Sequence, residues 1–153
     1  PPSAAEHYEE HSRPLFAYAL SMTGDAALSE DIVHDAFVRL IQSPRDVVSV
    51  EGFLFTAVRN LVLDSRRRSA TRRNHPAPLP LRHATDAGFA DAASRALGRL
   101  PEEQREAVVL KIYGGLTFAA IGEMAGVSTS TIASRYRLAL EKMAEFLSQE
   151  NHP

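Results

Sequence analysis

A proline-rich segment in the middle of the chain most constrains its fold, because no regular helix can pass through it. From about Asn74 to Gly88 the helical spacing of apolar residues is lost, and Pro76, Pro78 and Pro80 alternate with other residues. Proline has no backbone N–H and clashes with the preceding helical turn, so it cannot propagate a helix. We therefore predict two small domains joined by a flexible, proline-containing linker.

Apolar residues recur at helical spacing on both sides of this segment, which predicts an all-α protein. In the first part, Gly24 ends one helix, Asp25 caps a second, and Ser43-Pro44 stops the second before a polar loop. Pro14 either kinks the first helix or starts a new one. The expected apolar faces of the three helices are Tyr8, Leu15, Phe16, Ala19, Leu20 and Met22; Ile32, Val33, Ala36, Phe37, Leu40 and Ile41; and Phe53, Leu54, Ala57, Val58 and Leu61.

The second part is also helical. A short helix is predicted from Ala92 to Leu100, and Pro101 suits the first turn of the next helix. Three glutamates follow near that helix's positive N-terminal end, where the helix dipole favours them: Glu102, Glu103 and Glu106. The expected apolar face of this helix is Val108, Val109, Ile112 and Tyr113, and Gly114-Gly115 ends it.

The last two helices have the spacing of a helix-turn-helix. Thr117 and Ser128 are suitable N-caps, Gly122 lies where the helices would cross, and Gly126 lies in the turn. A side chain at the crossing would clash, which is why a small residue is needed there. The exposed start of the second helix carries polar and basic side chains suited to the major groove of DNA: Ser128, Thr129, Ser130, Thr131, Ser134, Arg135 and Arg137.

Charge is unevenly distributed, although the net charge is only −2. Residues 66–73 hold five arginines and no acid, whereas residues 25–35 hold four acids and no base. This pattern predicts one surface for DNA and another for a basic protein. No apolar run approaches the ~20 residues of a membrane span, and the N-terminus lacks the basic and apolar regions of a signal peptide, so we expect a cytoplasmic protein.

Stretches in both parts resemble extracytoplasmic-function sigma factors, and they occur in the order found in that family. Together they cover nearly everything outside the linker and the extreme ends. The first part resembles the family's N-terminal domain at residues 29–40 (SEDIVHDAFVRL) and 53–64 (FLFTAVRNLVLD), and the second its C-terminal domain at 100–110 (LPEEQREAVVL), 115–117, 121–128 (IGEMAGVS) and 130–135.

The resemblance implies a sigma factor that binds core RNA polymerase and directs promoter-specific initiation, with no catalytic activity and no cofactor. Residues 1–73 would form the N-terminal domain, 74–90 the linker, and 91–153 the C-terminal domain. The implied partners are core RNA polymerase, promoter DNA and an anti-sigma factor, membrane-anchored or not. The chain itself would not insert into the membrane.

The resemblance also implies roles for individual residues. The loop from Ser43 to Gly52 would capture a base flipped from the minus-ten element, at an unstacking cost of a few kcal/mol. Contacts to polymerase would come from the second helix: Asp31, His34, Asp35 and Arg39. Contacts to the minus-ten region would come from Arg59, Asn60, Asp64, Arg66, Arg67 and Arg68, and contacts to the minus-thirty-five element from Thr117, Ser128, Thr129, Ser130, Thr131, Ser134, Arg135 and Arg137.

Two other functions stay open at this point. The mildly acidic charge would suit a sigma-mimicking adaptor that sequesters an anti-sigma protein, and the helix-turn-helix would suit a repressor with a helical dimerisation domain. An enzyme is disfavoured, because no phosphate loop, nucleophile elbow or apolar carboxylate pair is present. His7 and His11 lie one helical turn apart, but no third ligand is evident and Glu does not follow His7 directly, so we predict no metal site.

Overall fold

A computed structural model describes residues 3–43, 47–69 and 87–151. These ranges form seven α-helices and no strand, which confirms the all-α prediction. None of the described helices is both long enough and apolar enough to cross a membrane. The helices are α1 (Ala4–Thr23), α2 (Ala26–Gln42), α3 (Val50–Arg68), α4 (Ala87–Arg99), α5 (Glu102–Ile112), α6 (Phe118–Ala125) and α7 (Thr129–Asn151).

Helices α1, α2 and α3 pack against one another in a three-helix bundle. Its centre is apolar and fully enclosed, and the largest side chains there are Leu15, Tyr18, Leu54, Phe55, Val58 and Val62. Two residues of the predicted apolar faces, Tyr8 and Ile41, are exposed instead. Both lie near a helix end, where the neighbouring helices no longer cover the face that periodicity assigns to the core.

The helix ends in this bundle are set by local chemistry. Gly24 adopts a left-handed conformation with φ of 68°, and the Asp25 carboxylate accepts a hydrogen bond from the Leu28 N–H at 3.1 Å, as predicted. No new helix begins at Pro14, because α1 runs through it without interruption. The Ser49 hydroxyl accepts a hydrogen bond from Gly52 N–H at 3.0 Å, so α3 begins at Val50, two residues before the predicted end of the loop at Gly52.

Helices α4 to α7 form the second domain. Helix α5 lies between α1 on one side and α6 and α7 on the other, which buries six consecutive residues, Arg105 to Leu110. Ile112, predicted to be buried, is exposed at the last turn of α5. Residues 70–86, which include most of the predicted linker, lie outside the described residues. The end of that predicted linker, residues 87–90, is helical in α4.

The helix-turn-helix forms as the glycine positions predict. A Cβ on Gly122 would lie 2.8 Å from the Val127 carbonyl oxygen, so only glycine allows this crossing, and Gly126 has a left-handed φ of 72°. Thr117 caps α6 through its hydroxyl, which accepts a hydrogen bond from Ala120 N–H at 3.0 Å. The start of α7 is therefore held at a fixed angle to α6.

Candidate nucleic-acid interface

The first two turns of α5 bind the N-terminal bundle through a buried carboxylate. Glu106 is 6% exposed, and its Oε2 accepts hydrogen bonds from the Tyr18 hydroxyl at 2.6 Å and from Arg59 Nε at 3.0 Å. Burial of the phenol and the adjacent Glu106 carboxylate raise the pKa of Tyr18 well above its usual value. The buried carboxylate thus has a charged partner and a neutral donor, as a desolvated acid requires.

A second arginine of α3 bridges the same two domains. Arg66 Nη1 donates to Glu102 Oε1 at 2.6 Å, and its Nη2 donates to the Met22 carbonyl at 2.7 Å. Arg105 of α5 also reaches α1, donating from Nε to the Ser21 carbonyl at 3.0 Å. The last carbonyls of a helix lack intrahelical partners and carry negative partial charge. Two arginines therefore satisfy the C-terminal end of α1 from different domains.

The residues predicted to contact the minus-ten region divide into two groups along α3. Asn60, Arg67 and Arg68 are exposed, and Arg67 lies 3.7 Å from the Asp64 carboxylate. Arg59 and Arg66 face α5 instead and are paired with its glutamates. The structure therefore brings all six predicted residues onto one helix but leaves only part of the set open to solvent.

The residues predicted to contact polymerase lie together on the exposed face of α2. All four side chains, Asp31, His34, Asp35 and Arg39, are exposed. Asp31 and His34 line a groove of ≈ 580 Å³ between α1 and α2, whose walls also include Tyr8 and Phe16. Asp35 and Arg39 line a second groove of ≈ 560 Å³ toward α3. The first groove combines acidic side chains with partly exposed aromatic rings, whereas the second also contains three arginines, Arg39, Arg67 and Arg68.

The start of α7 presents a network of small hydroxyls. The Ser128 hydroxyl accepts a hydrogen bond from Thr131 N–H at 3.1 Å and lies within hydrogen-bond distance of the Ser130 and Thr131 hydroxyls. Ser128, Thr129, Ser130 and Ser134 are exposed, whereas Thr131 is half-buried. Ser128, which caps the start of α7, is therefore part of the surface that was predicted to face DNA. Its hydroxyl also holds two other predicted contact residues, Ser130 and Thr131, in place.

The two arginines of α7 have different surroundings. Arg135 is half-buried, and its Nη2 lies 3.9 Å from Glu103 Oε2 of α5. Arg137 is exposed, and its Nη1 lies 3.4 Å from Glu141 one turn later. Within the described part of the chain, Arg137 therefore pairs only with an exposed residue of its own helix, and solvent and salt weaken such a pair.

Sequence reasoning missed the partners of the three α5 glutamates. It assigned Glu102, Glu103 and Glu106 to the positive end of their own helix, yet each carboxylate meets an arginine of another helix. The sequence does contain a weak indication of the pairs between α3 and α5. Arg59 and Arg66 lie seven residues apart on one face of α3, and Glu102 and Glu106 lie four residues apart on one face of α5. Spacing alone does not show that these two faces meet.

A cluster on α1 also differs from expectation. His7, Glu10 and His11 place three possible ligand atoms within 4.8 Å of one another, so Glu10 is a third candidate ligand that the sequence did not make evident. The absence of a metal site remains a prediction from sequence.

Comparisons with known proteins match both domains. The family described as Sigma-70 region 2 matches residues 7–73, and the family described as Sigma-70, region 4 matches residues 90–143. The ECF RNA polymerase sigma factor SigL of Mycobacterium tuberculosis is 31% identical over 149 residues, which cover 89% of this chain and 84% of the relative. SigE of Mycolicibacterium smegmatis, another ECF sigma factor, is 28% identical and matches 98% of this chain and 63% of its own length.

Two solved structures share the fold. The sigma factor RpoE from Bartonella quintana, solved in complex with the anti-sigma factor NepR, superposes with a TM-score of 0.73 at 23% identity and covers 93% of this chain and 96% of its own. The extracytoplasmic-function sigma factor SigJ of Mycobacterium tuberculosis gives a TM-score of 0.62 at 27% identity, with coverage of 92% and 53%. The RpoE match extends over both helical domains.

Proposed function

Because this chain belongs to the extracytoplasmic-function sigma factors, which direct RNA polymerase to promoters, we propose that it divides this task among α2, α3 and α7. The observation that carries the proposal is the presence, in one chain and in family order, of region 2 at residues 7–73 and region 4 at residues 90–143. The chain acts as an initiation factor and has no catalytic role of its own. It works in the cytoplasm, where polymerase and promoter DNA are found.

Helix α2 is the proposed polymerase-docking element. Asp31 and Asp35 are exposed, lie four residues apart on one face, and border the grooves on either side of α2. Exposed acids beside partly exposed aromatic rings favour a basic helical partner, since complementary charge speeds encounter and fixes orientation. His34 and Arg39 lie on the same face and complete the proposed contact.

Helix α3 is the proposed minus-ten contact. Asn60, Arg67 and Arg68 are open to solvent and can meet a phosphate backbone or an extruded base directly. Arg59 and Arg66 would join them once α5 no longer occupies their guanidinium groups. The proposed base-capturing loop, residues 43–52, is only partly described, since residues 44–46 lie outside the described ranges.

The start of α7 is the proposed minus-thirty-five reader. Ser130, Thr131 and Ser134 lie in its first two turns, where a recognition helix approaches base edges. Arg137 lies later and would contact phosphate. Thr117 caps α6 and is exposed, and its assignment to this surface follows the resemblance to the family. For an anti-sigma partner, the support is the RpoE structure, in which a similar fold is bound by such a protein.

Mixing the chain with core RNA polymerase tests this function. We expect a stable complex by gel filtration and initiation from a subset of fragments when the complex transcribes a genomic fragment library. An adaptor that only sequesters an anti-sigma protein would not join core enzyme, and a repressor would bind fragments without polymerase. Initiation by core enzyme alone at the same sites would also contradict the proposal.

A further inference from the structure

We propose that His7, Glu10 and His11 of α1 form a binding site for one divalent first-row transition-metal ion of the type of Zn²⁺, which fixes the first half of that helix. Each of the three side chains places a ligand atom within 4.8 Å of the other two. None of them belongs to the surfaces assigned above to polymerase or to DNA. The inference therefore goes beyond the proposed function and does not depend on it.

The helix itself brings the two histidines together. Residues four apart lie one turn apart on the same face, and two histidines at this spacing can bind zinc from one helical face. The His7 and His11 rings lie 6.1 Å apart between centroids, with their planes at 20° to each other. Helix α1 runs through both residues, and the Ser3 hydroxyl caps it by accepting a hydrogen bond from Glu6 N–H at 3.2 Å. The backbone therefore holds both imidazoles in place before an ion binds.

Glu10 provides the third ligand atom from the same helical turn. Its Oε2 lies 3.8 Å from His11 Nε2, and its side chain is 70% exposed and has room to move. Metal–ligand bonds of ~2.1 Å place neighbouring ligand atoms about 3–3.5 Å apart, so the three side chains must approach one another by about 1 Å. The soft terminal torsions of histidine and glutamate allow this movement. The sequence argument against a metal used the spacing of a zinc protease, whereas binding alone needs no glutamate directly after His7.

One ring nitrogen of the cluster lacks a partner. His7 Nδ1 is buried, and no atom of the described residues forms a hydrogen bond with it. Buried polar atoms are normally satisfied, so this nitrogen calls for a ligand that the described part of the chain does not supply. In a neutral ring with the proton on Nε2, Nδ1 carries a lone pair that can bind a metal. His11 is also largely withdrawn from solvent, with 14% of its side chain exposed.

The donor atoms select the class of ion. Imidazole nitrogen suits Zn²⁺ and its neighbours in the first transition row, whereas Mg²⁺ and Ca²⁺ prefer a shell of oxygen atoms. The chain contains no cysteine, so no thiolate competes for the ion. Residues 3–12 hold three glutamates and neither lysine nor arginine, which makes this turn attractive to a cation. Three protein ligands leave the fourth position of a tetrahedral zinc to water.

A bound ion would cross-link α1 close to its start. Helix ends open more readily than helix centres, and the three ligands span residues 7–11 of a helix that begins at Ala4. Tyr8 lies between these ligands in sequence and packs on Phe37 of α2, with 5.0 Å between the ring centroids. We therefore expect Zn²⁺ to slow amide hydrogen exchange over residues 7–15.

Calorimetric titration of the full chain, purified without a polyhistidine tag, tests the site. We expect saturable binding of one Zn²⁺ per chain and no binding of Mg²⁺ at the same concentrations. His7→Gln and His11→Gln should each weaken Zn²⁺ binding at least about tenfold, since loss of even a supporting partner of a metal ligand costs about 10–100-fold. His83→Gln, which removes an imidazole elsewhere in the chain, is their matched control. Glu10→Gln should also weaken binding, and its control is Glu9→Gln at the adjacent exposed position.

Nitrogen NMR of the histidine rings locates the ion in the wild type, so the test does not depend on the folding of a variant. Of the six histidines, only His7 and His11 should show ring signals that shift as Zn²⁺ is added. Absence of saturable binding, shifts at other histidines instead, or unchanged amide exchange in the zinc-bound chain would each refute the inference. Initiation with core polymerase is measured separately. A chain that initiates but does not bind Zn²⁺ would refute only the metal site, and one that binds Zn²⁺ but does not initiate would refute only the proposed function.

Discussion

The hydroxyl of Tyr18 in α1 donates to Glu106 of α5 at 2.6 Å, although the two residues are 88 positions apart in the chain. This hydrogen bond joins a helix of the region 2 domain to a helix of the region 4 domain, and both side chains are buried. The junction between the domains therefore includes a specific, buried polar contact. Tyr18→Phe, which removes only the phenolic oxygen, tests this contact.

Tyr18→Phe should lower the free energy of unfolding by about 1.5–3 kcal/mol, the range for a hydrogen bond to a charged group. The aromatic ring, which packs on Phe55, is kept. Tyr113→Phe is the matched control, because the Tyr113 hydroxyl is buried and has no hydrogen-bond partner among the described residues. Its removal should leave stability unchanged or raise it. Urea unfolding of the wild type, Tyr18→Phe and Tyr113→Phe measures the three stabilities. Equal losses for the two variants would contradict a stabilising hydrogen bond from Tyr18 to Glu106.

The same contact predicts a loss of stability at high pH. The folded protein holds the pKa of Tyr18 well above 10.0, first through burial and then through Glu106. Below about pH 10 the phenol is neutral in both states, and above it the unfolded chain loses the proton more readily, so stability falls as pH rises. Tyr18→Phe should show a shallower fall. Identical slopes of unfolding free energy between pH 9 and pH 11, both measured in urea, would be inconsistent with this account.

The helix-turn-helix depends on the absence of a side chain at Gly122. Gly122→Ala would place its Cβ 2.8 Å from the Val127 carbonyl oxygen, which is backbone and cannot move cheaply. We expect a lower melting temperature and weaker promoter binding. Gly98→Ala in α4 is the control, since nothing lies within 4 Å of its added Cβ. That change should stabilise the protein by about 0.5–1 kcal/mol through helix propensity. A harmless Gly122→Ala would refute the crossing geometry.

Local features of this fold were predictable from the sequence, because they depend on neighbouring residues. Asp25, Thr117 and Gly126 set helix ends through their own side chains or their own φ, and the structure confirms all three. The crossing at Gly122 was predictable for the same reason. Each of these signals lies within a few residues of the structure that it specifies.

Contacts between distant helices were not predictable in the same way. Periodicity placed Ile41 and Ile112 on the apolar faces of their helices, yet both side chains are exposed. Whether a neighbouring helix covers such a position depends on where the helices end. The pairing of Arg59 with Glu106 depends on α3 meeting α5, and the intervening sequence does not encode that meeting in any local pattern. The acids of residues 25–35 predicted a surface for a basic protein, but only the resemblance to the family assigned that surface to polymerase, since a solvated charged face has the same spacing.

Recognition of the minus-thirty-five element should divide along α7. Arg137→Ala should weaken holoenzyme binding to every upstream element alike and reduce the salt slope by about one, because it removes one proposed phosphate contact. Arg137→Lys keeps the charge and should retain the slope. Ser130→Ala or Thr131→Ala should instead cost about 1–3 kcal/mol on the preferred element only. The affinity of each variant for a panel of upstream elements, measured at two salt concentrations, separates the two roles. Equal losses of affinity on all elements for every variant would contradict the assignment of phosphate contact to Arg137 and base contact to Ser130 and Thr131.

The most direct test of the account is the affinity of the full-length chain for core RNA polymerase when the α2 face is reversed in charge. Asp31→Arg with Asp35→Arg changes two exposed residues of that face, and Glu123→Arg with Glu145→Arg makes the same charge change on exposed residues of α6 and α7. The account predicts at least about tenfold weaker core binding for the α2 variant, or ~1.4 kcal/mol, and unchanged binding for the control. Equal affinities of the two variants, with both fully folded, would contradict it.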